Sequence, residues 1–262
     1  MPGPKASDQA EAYAAIAVTE PGPPAPPRRP AFIVRVSRRL WRLAADRRHR
    51  GVMWLVWRRP THAFQPFNET QPDRYPGIFR FVQKALGAQS ELRILSFGCS
   101  TGEEVFSLRS YFPRAAIKGI DINPGNIALA RRRLKRSGDA TLSFAVAGST
   151  AAEPDGAYDA IFAMAVLRHG NLGSPAIARC DHLIRFADFA AAVADFSRCL
   201  KRGGFLVIRH SNFRLCDAPT GAGFESILSV KLPQRGAKTP LFGPDNLLLE
   251  TTEYPDTVFR KK

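Results

Sequence analysis

Two carboxylates, Glu103 and Glu104, stand directly after a glycine-rich stretch, Gly98-Cys99-Ser100-Thr101-Gly102, and a third, Asp121, follows 19 residues after Gly102. Glycines at this spacing permit a tight turn and a close approach of backbone to a ligand. A helix beginning at Glu103 would present free N–H groups at its N-terminus. A phosphate held there would be repelled by the two acids, the Walker lysine is absent, and G-x-x-x-G is not the dinucleotide spacing G-x-G-x-x-G. The acids suit a ligand with a cationic group. They suit equally the first turn of a helix, where a carboxylate gains ~0.3–1 kcal/mol from the macrodipole. On this stretch alone both readings stand.

The elements that must position these groups separate the two. Arg93 to Phe97 reads as a short buried strand, Gly98 to Gly102 as a turn, and the apolar spacing of Val105, Phe106, Leu108, Tyr111 and Phe112 as a helix. Ala115 to Asp121 is a second strand ending in an acid, followed by a basic helix over Ile127 to Lys135. A carboxylate at the tip of a second strand can accept from both hydroxyls of a ribose. A ligand with a ribose, a cationic centre and no phosphate points to S-adenosylmethionine.

The stretches SFGCSTGEEVFSL and GIDINPGNIALAR resemble the class I S-adenosylmethionine-dependent methyltransferases, and within them are most similar to the chemotaxis-receptor glutamate methyltransferases, whose turn reads S-T-G-E-E-P-Y-S. Upstream, NETQPDRYP resembles that group's N-x-T-x-F-F-R segment. The resemblance implies an α/β, doubly wound Rossmann-like sheet of seven strands, the last hairpin antiparallel. It implies a cofactor site from Asn68, Thr70, Arg74, Gly98, Ser100, Gly102, Glu104, Asp121, Ile122, Ala165 and Val166. There Arg74 meets the methionine carboxylate, Glu104 the ammonium, and Glu103 is a capping partner. Two departures stand out. Ala165 takes the place of an asparagine, so any contact there is from backbone, and Gly148 to Gly156 leaves no room for the receptor-recognition subdomain. A chemoreceptor substrate is therefore not expected.

The rest of the chain fits one α/β domain over residues 65–262. Leu142 to Ala147 reads as a third strand and Tyr158 to Met164 as a fourth. Phe186 to Leu200 reads as a helix ended by Lys201-Arg202-Gly203-Gly204, with a fifth strand from Phe205 to Arg209. Phe224 to Leu232 and Asp256 to Arg260 then form the closing hairpin. His169, just past the fourth strand, is the one candidate base facing a transferred group, beside the plainer reading of a loop histidine. His210 would line an acceptor pocket or cap the fifth strand.

Residues 1–30, with prolines at 21, 23, 24, 26, 27 and 30, have the composition of a disordered tail. Residues 31–64 read as a basic helical region. Arg28 to Arg59 hold eleven arginines and one acid, +10 of a net +15. The helical face of Ile33, Val36, Leu40, Leu43 and Ala44 opposite arginines suits RNA or an anionic membrane surface, or simply a docked surface helix. The apolar cluster Val52 to Trp57 is expected to pack inside. Four cysteines without CxxC spacing fit reduced thiols and a cytoplasmic location, at most peripheral to a membrane, with no metal site. Two classes of function remain: methyl transfer to an acceptor that is a protein carboxylate, a small molecule or RNA, and a non-catalytic cofactor-fold protein acting through its arginine-rich segment.

Overall fold

A computed structural model describes residues 47–58, 63–67, 70–87, 91–173, 177–230, 239–251 and 253–262. The tail, the amphipathic stretch over 31–45 and most of the Arg28–Arg59 run lie outside these residues, as does Asn68.

The five parallel strands are β1 (Arg93–Phe97), β2 (Ala116–Asp121), β3 (Leu142–Val146), β4 (Tyr158–Met164) and β5 (Leu200–Arg209). With β6 (Phe224–Ser229) and β7 (Asp256–Lys261) they make one seven-stranded sheet of order β3-β2-β1-β4-β5-β7-β6, in which β7 is antiparallel to both neighbours. Alternation along the strands makes two cores. Ile94, Phe162 and Val207 face one side; Leu95, Phe97, Ile161 and Leu206 face the other. Central β4 is buried at all seven positions, and from Ala160 to Met164 it reads as a continuous apolar run.

Helices α2 (Pro76–Leu86), α3 (Glu103–Tyr111) and α4 (Pro124–Ser137) cover the first face, α2 through Phe79 and Val82, α3 through Val105 and Leu108, α4 through Ile127 and Ala130. Helix α5 (Phe186–Cys199) covers the second through Phe189, Val193 and Phe196. The strand order reverses between β1 and β4, where an open α/β sheet leaves a crevice at its carboxyl edge.

Two expectations are corrected. Lys201 to Gly204 is not a turn outside the sheet: β5 begins at Leu200 opposite Tyr158, and the register shifts before Ala160. Gly203, at φ 78°, supplies the left-handed residue of this bulge, so a pair of glycines that reads as a turn is absorbed into the strand. The apolar cluster Val52 to Trp57 is only partly internal. In α1 (Arg47–Arg58) Leu55 is buried, while Trp54 and Trp57 are 44% and 77% exposed. The helix docks along one narrow stripe, so apolar residues off it face outward.

That stripe is set by Gly51. A Cβ there would lie 1.8 Å from Asn123 Oδ1, which accepts from Gly125 N and caps α4. A glycine-to-alanine change inside a helix ordinarily gains ~1 kcal/mol. Here the cap must move, at ~0.5–2 kcal/mol, and the contact is overpacked by a further ~1–3 kcal/mol. Gly51→Ala should therefore destabilise the protein by about 1 kcal/mol in denaturant unfolding, and a stabilised variant would show that α1 does not dock through this face.

Candidate functional site

The cleft at the carboxyl ends of β1, β2 and β4 is lined by Gln65, Phe67, Thr70, Gln71, Arg74, Tyr75, Phe79, Gly98, Cys99, Ser100, Glu104, Ser107, Asp121, Met164, Ala165 and Val166. Its floor is the turn after β1. Gly98 N and Cys99 N both donate to Ile120 O, and Gly102 N donates to Cys99 O. Gly98 and Gly102 have φ of 74° and 92°, and a Cβ on Gly98 would stand 2.3 Å from Val166 Cγ2. Only glycine brings backbone to the cleft floor at that point. Cys99 is buried at this floor; burial, with Asp121 and Glu104 close by, pushes its thiol well up, which disfavours the thiolate.

Asp121 joins two pieces of backbone and a side-chain amide. Its Oδ2 accepts from Ser100 N at 2.9 Å, and its Oδ1 accepts from Asn123 N at 2.8 Å and Asn126 Nδ2 at 3.1 Å. Burial raises its pKa, and these three donors act against that rise.

The two glutamates have separate environments. Glu104 turns back over the sheet, where Ser96 Oγ on β1 donates to its Oε1 at 2.7 Å. Burial pushes its carboxyl up to about 7, against the pull of the Ser96 hydrogen bond and the Arg74 charge. Glu103 accepts from Thr101 Oγ1 at 2.6 Å and stands 3.9 Å from Arg133. No side chain caps α3; its N-cap is Gly102, so Glu103 acts at most on the helix field.

Arg74 comes from an arm upstream of the sheet. Asp73 N donates to Ser107 Oγ at 2.8 Å and Tyr111 Oη donates to Asp73 Oδ1 at 2.7 Å, which fastens the arm to α3. Pro76 starts α2 immediately afterwards, at the first-turn position proline favours. The Arg74 guanidinium lies 5.4 Å from the Tyr75 ring centroid and, with Glu104, lines the cleft.

Of the expected site residues, Thr70, Arg74, Gly98, Ser100, Glu104, Asp121, Ala165 and Val166 thus line one cleft. Gly102 and Ile122 flank it without lining it: Gly102 packs close to Phe144 and Ala130, and Ile122 packs over Gly148. His169 is buried and does not line the cleft. Its backbone N donates to Asn212 Oδ1 at 2.8 Å, and its Nδ1 accepts from Asn171 N at 3.3 Å, which suits a loop-bracing histidine. Sequence reasoning missed Gln65, Phe67, Tyr75 and Phe79, which reach the cleft only because the arm folds over it. The Arg-Tyr-Pro helix start was the one local signal for Tyr75. The hydroxyls of Tyr75 and Ser100 are buried and have no hydrogen-bond partner among the described residues.

At the end of β5, His210 adopts φ 54° and packs 6.0 Å from the Tyr75 ring. Burial, then the charges of Arg209, Arg168 and Arg74, push its pKa down to about 4, so it is neutral at pH 7. Among the described residues no cluster of His, Cys, Asp or Glu could hold a metal ion, and no helix is long and apolar enough to cross a membrane. All four cysteines are free.

Residues 95–208 match the family described as "Methyltransferase domain". Over 76 residues the chain is 37% identical to a trans-aconitate 2-methyltransferase of Methylobacterium nodulans, covering 29% of this chain and 28% of that protein. Over 117 residues it is 31% identical to a demethylmenaquinone methyltransferase of Thermus thermophilus, covering 44% and 46%. The chain spans less than half the length of the curated relatives it matches. Among solved structures, phosphoethanolamine N-methyltransferase 2 of Haemonchus contortus, in complex with S-adenosyl-L-methionine, overlaps 65% of this chain and 34% of its own, at 17% identity and a TM-score of 0.41, too loose a likeness to bear on the site. None of these matches carries the resemblance past the class I methyltransferases to the receptor-glutamate group. Residues 95–208, which match the methyltransferase-domain family, hold the glycine turn, Asp121 and strands β2 to β4, with most of β1 and nearly all of β5.

Proposed function

We propose that the chain is an S-adenosylmethionine-dependent methyltransferase whose cofactor lies in the cleft between the glycine turn and the arm. The observation that carries this reading is one cleft holding opposite charges, Glu104 and Arg74, together with the Asp121 carboxylate and the exposed backbone of Gly98. The residues present fit the group. Among the described residues the buried Ser100 and Tyr75 hydroxyls have no hydrogen-bond partner, as polar atoms awaiting a ligand would be. Glu104 would hold the ammonium, Arg74 the carboxylate and Asp121 the ribose hydroxyls. When bound, S-adenosylmethionine supplies an electrophilic methyl group on a sulfonium. What the chain contributes is binding, orientation and exclusion of water, and positioning of this kind supplies much of a transfer's rate. No side chain in the cleft is placed as an obligatory base. The acceptor of the receptor-glutamate group is not carried over, because residues 147–157 join β3 to β4 directly.

Isothermal titration separates this reading from a fold retained without its cofactor. S-adenosylmethionine and S-adenosylhomocysteine should both bind the wild-type protein. In Arg74→Lys both should bind about tenfold more weakly, because an ammonium cannot fork onto a carboxylate. Adenosine, which has no carboxylate, should bind wild type and variant alike. Absence of any binding to the wild type would end the proposal; equal losses for all three ligands would mean general damage to the cleft and remove Arg74 from the site.

A further inference from the structure

Beside the cofactor cleft, and sharing Gln65, Phe67, Arg74 and Ala165 with it, lies a second hollow of about 270 Å³, closed by Arg168, Gly170 and Asn171. Among the described residues two guanidinium groups and two side-chain amides line it, and no carboxylate does. Such a lining attracts an anion and repels a cation, and once Arg74 holds the cofactor's carboxylate the Arg168 guanidinium carries that preference. The volume is just below the ~300–1,000 Å³ of sites for drug-sized ligands, which suits a small molecule.

The loop after β4 is built so that Arg168 stands in this hollow. Asn212 grips the backbone on either side of it: Asn212 N donates to Leu167 O at 3.0 Å, and His169 N donates to Asn212 Oδ1 at 2.8 Å. Asn212 Nδ2 is spent on Pro240 O at 2.7 Å, and Asn212 itself is buried. Ala165, which opens the loop, sits at φ 57°, a strained region for a residue with a Cβ. Gly170 N, beyond Arg168, donates to Gln65 Oε1 of the arm at 3.4 Å. The positive surroundings extend past the hollow, since Arg209 is buried nearby with Val230 O and Thr257 Oγ1 as its partners.

We infer that the methyl acceptor is a small organic molecule bearing an oxyanion, a carboxylate or a phosphate, and that Arg168 receives this group in the hollow that adjoins the cofactor cleft. The inference rests on the cofactor reading above. A planar guanidinium fixed at its backbone offers two parallel donors to either oxyanion, which sets orientation as well as affinity. Asn212 is a positioning residue for that fork.

The test is titration of the full chain, saturated with S-adenosylhomocysteine in low-chloride buffer, with succinate, inorganic phosphate and uncharged succinamide. Succinate or phosphate should bind and succinamide should not; whichever anion binds tighter identifies the oxyanion. Arg168→Gln should weaken that anion at least tenfold while S-adenosylhomocysteine affinity changes less than twofold, because Arg168 does not line the cofactor cleft. Arg168→Lys should lie between, and it carries the comparison if the glutamine variant fails to fold. Anion binding unaffected by both variants, succinamide binding as well as succinate, or no anion binding up to tens of millimolar would each overturn the inference. Failure of S-adenosylhomocysteine itself to bind would instead overturn the cofactor reading.

Discussion

Glu104→Gln should make the ligand-free protein more stable at pH 8 and, in the same variant, remove most of its affinity for S-adenosylmethionine. In the folded protein the Glu104 carboxyl has its pKa pushed up to about 7, against an ordinary value of 4.5. Between these pH values the folded chain holds a proton that the unfolded chain has released. Stability therefore falls as pH rises from 4.5 to 7, and the cost persists in full above 7, on the order of 3 kcal/mol. Glutamine has no such ionisation and can still accept from Ser96 Oγ. Denaturant unfolding should show the variant ahead of wild type at pH 8, with the gap closing near pH 4.5. Binding moves the other way. An ammonium that loses its carboxylate partner in the cleft loses roughly 2–5 kcal/mol, about 30-fold or more. In the wild type, affinity should rise from pH 6 to pH 8 and binding near pH 7 should release a proton, visible as a dependence of titration heat on the buffer's ionisation enthalpy. Affinity flat across that range would separate Glu104 from the ligand's cationic end.

Asp121→Ala should damage fold and site together. It strips the acceptor from Ser100 N, Asn123 N and Asn126 Nδ2 at once. A buried donor left without a partner costs ~1–3 kcal/mol. With some relaxation or water entry the loss should be about 3 kcal/mol, a fall in Tm of roughly 6–12 °C for a domain of this size. Cofactor affinity, measured at a temperature where the variant stays folded, should fall at least tenfold, ~1.4 kcal/mol, because the ribose loses its acceptor and the turn its anchor. Asp121→Asn should be intermediate in stability: one oxygen can still serve Asn123 and Asn126, but its amide meets Ser100 N donor to donor. A stability within 0.5 kcal/mol of wild type, with affinity within twofold, would remove Asp121 from both roles.

The strands were legible where local pattern and tertiary packing agree. β1 ends where expected because its apolar run stops at Gly98, and β4 ends before Ala165, whose φ of 57° breaks the extended backbone although apolar residues continue. The basic helix after Asp121 begins earlier than its apolar spacing indicates, at Pro124, because proline there is a helix start with Asn123 as its cap. The bulge at Gly203 was hidden because two adjacent glycines signal a turn whether or not the strand continues through it. Trp54 and Trp57 were placed inside because composition does not say which stripe of a helix docks; that is decided by Gly51 fitting against Asn123. The cleft is half legible for a related reason. Its floor is contiguous in sequence, so glycine spacing and Asp121 mark it. Its roof is an arm held by Asp73 to Ser107 and Tyr111, and no local pattern in Gln65 or Phe67 announces that contact.

Asp121 and Glu104, the two acids of the cleft, would be lost on different schedules if its ligand ceased to matter. Asp121 knits the β1 turn to the start of α4, so a chain selected only for staying folded would keep it. Glu104 has the opposite balance: its ionisation opposes folding at neutral pH, and a neutral amide would serve the empty protein better. Drift without a cationic ligand would erode Glu104 first and leave the glycine turn and Asp121 standing as relics. In relatives of this chain, a glutamate at the position of Glu104 is therefore a sharper mark of retained cofactor use than the acid at the tip of β2.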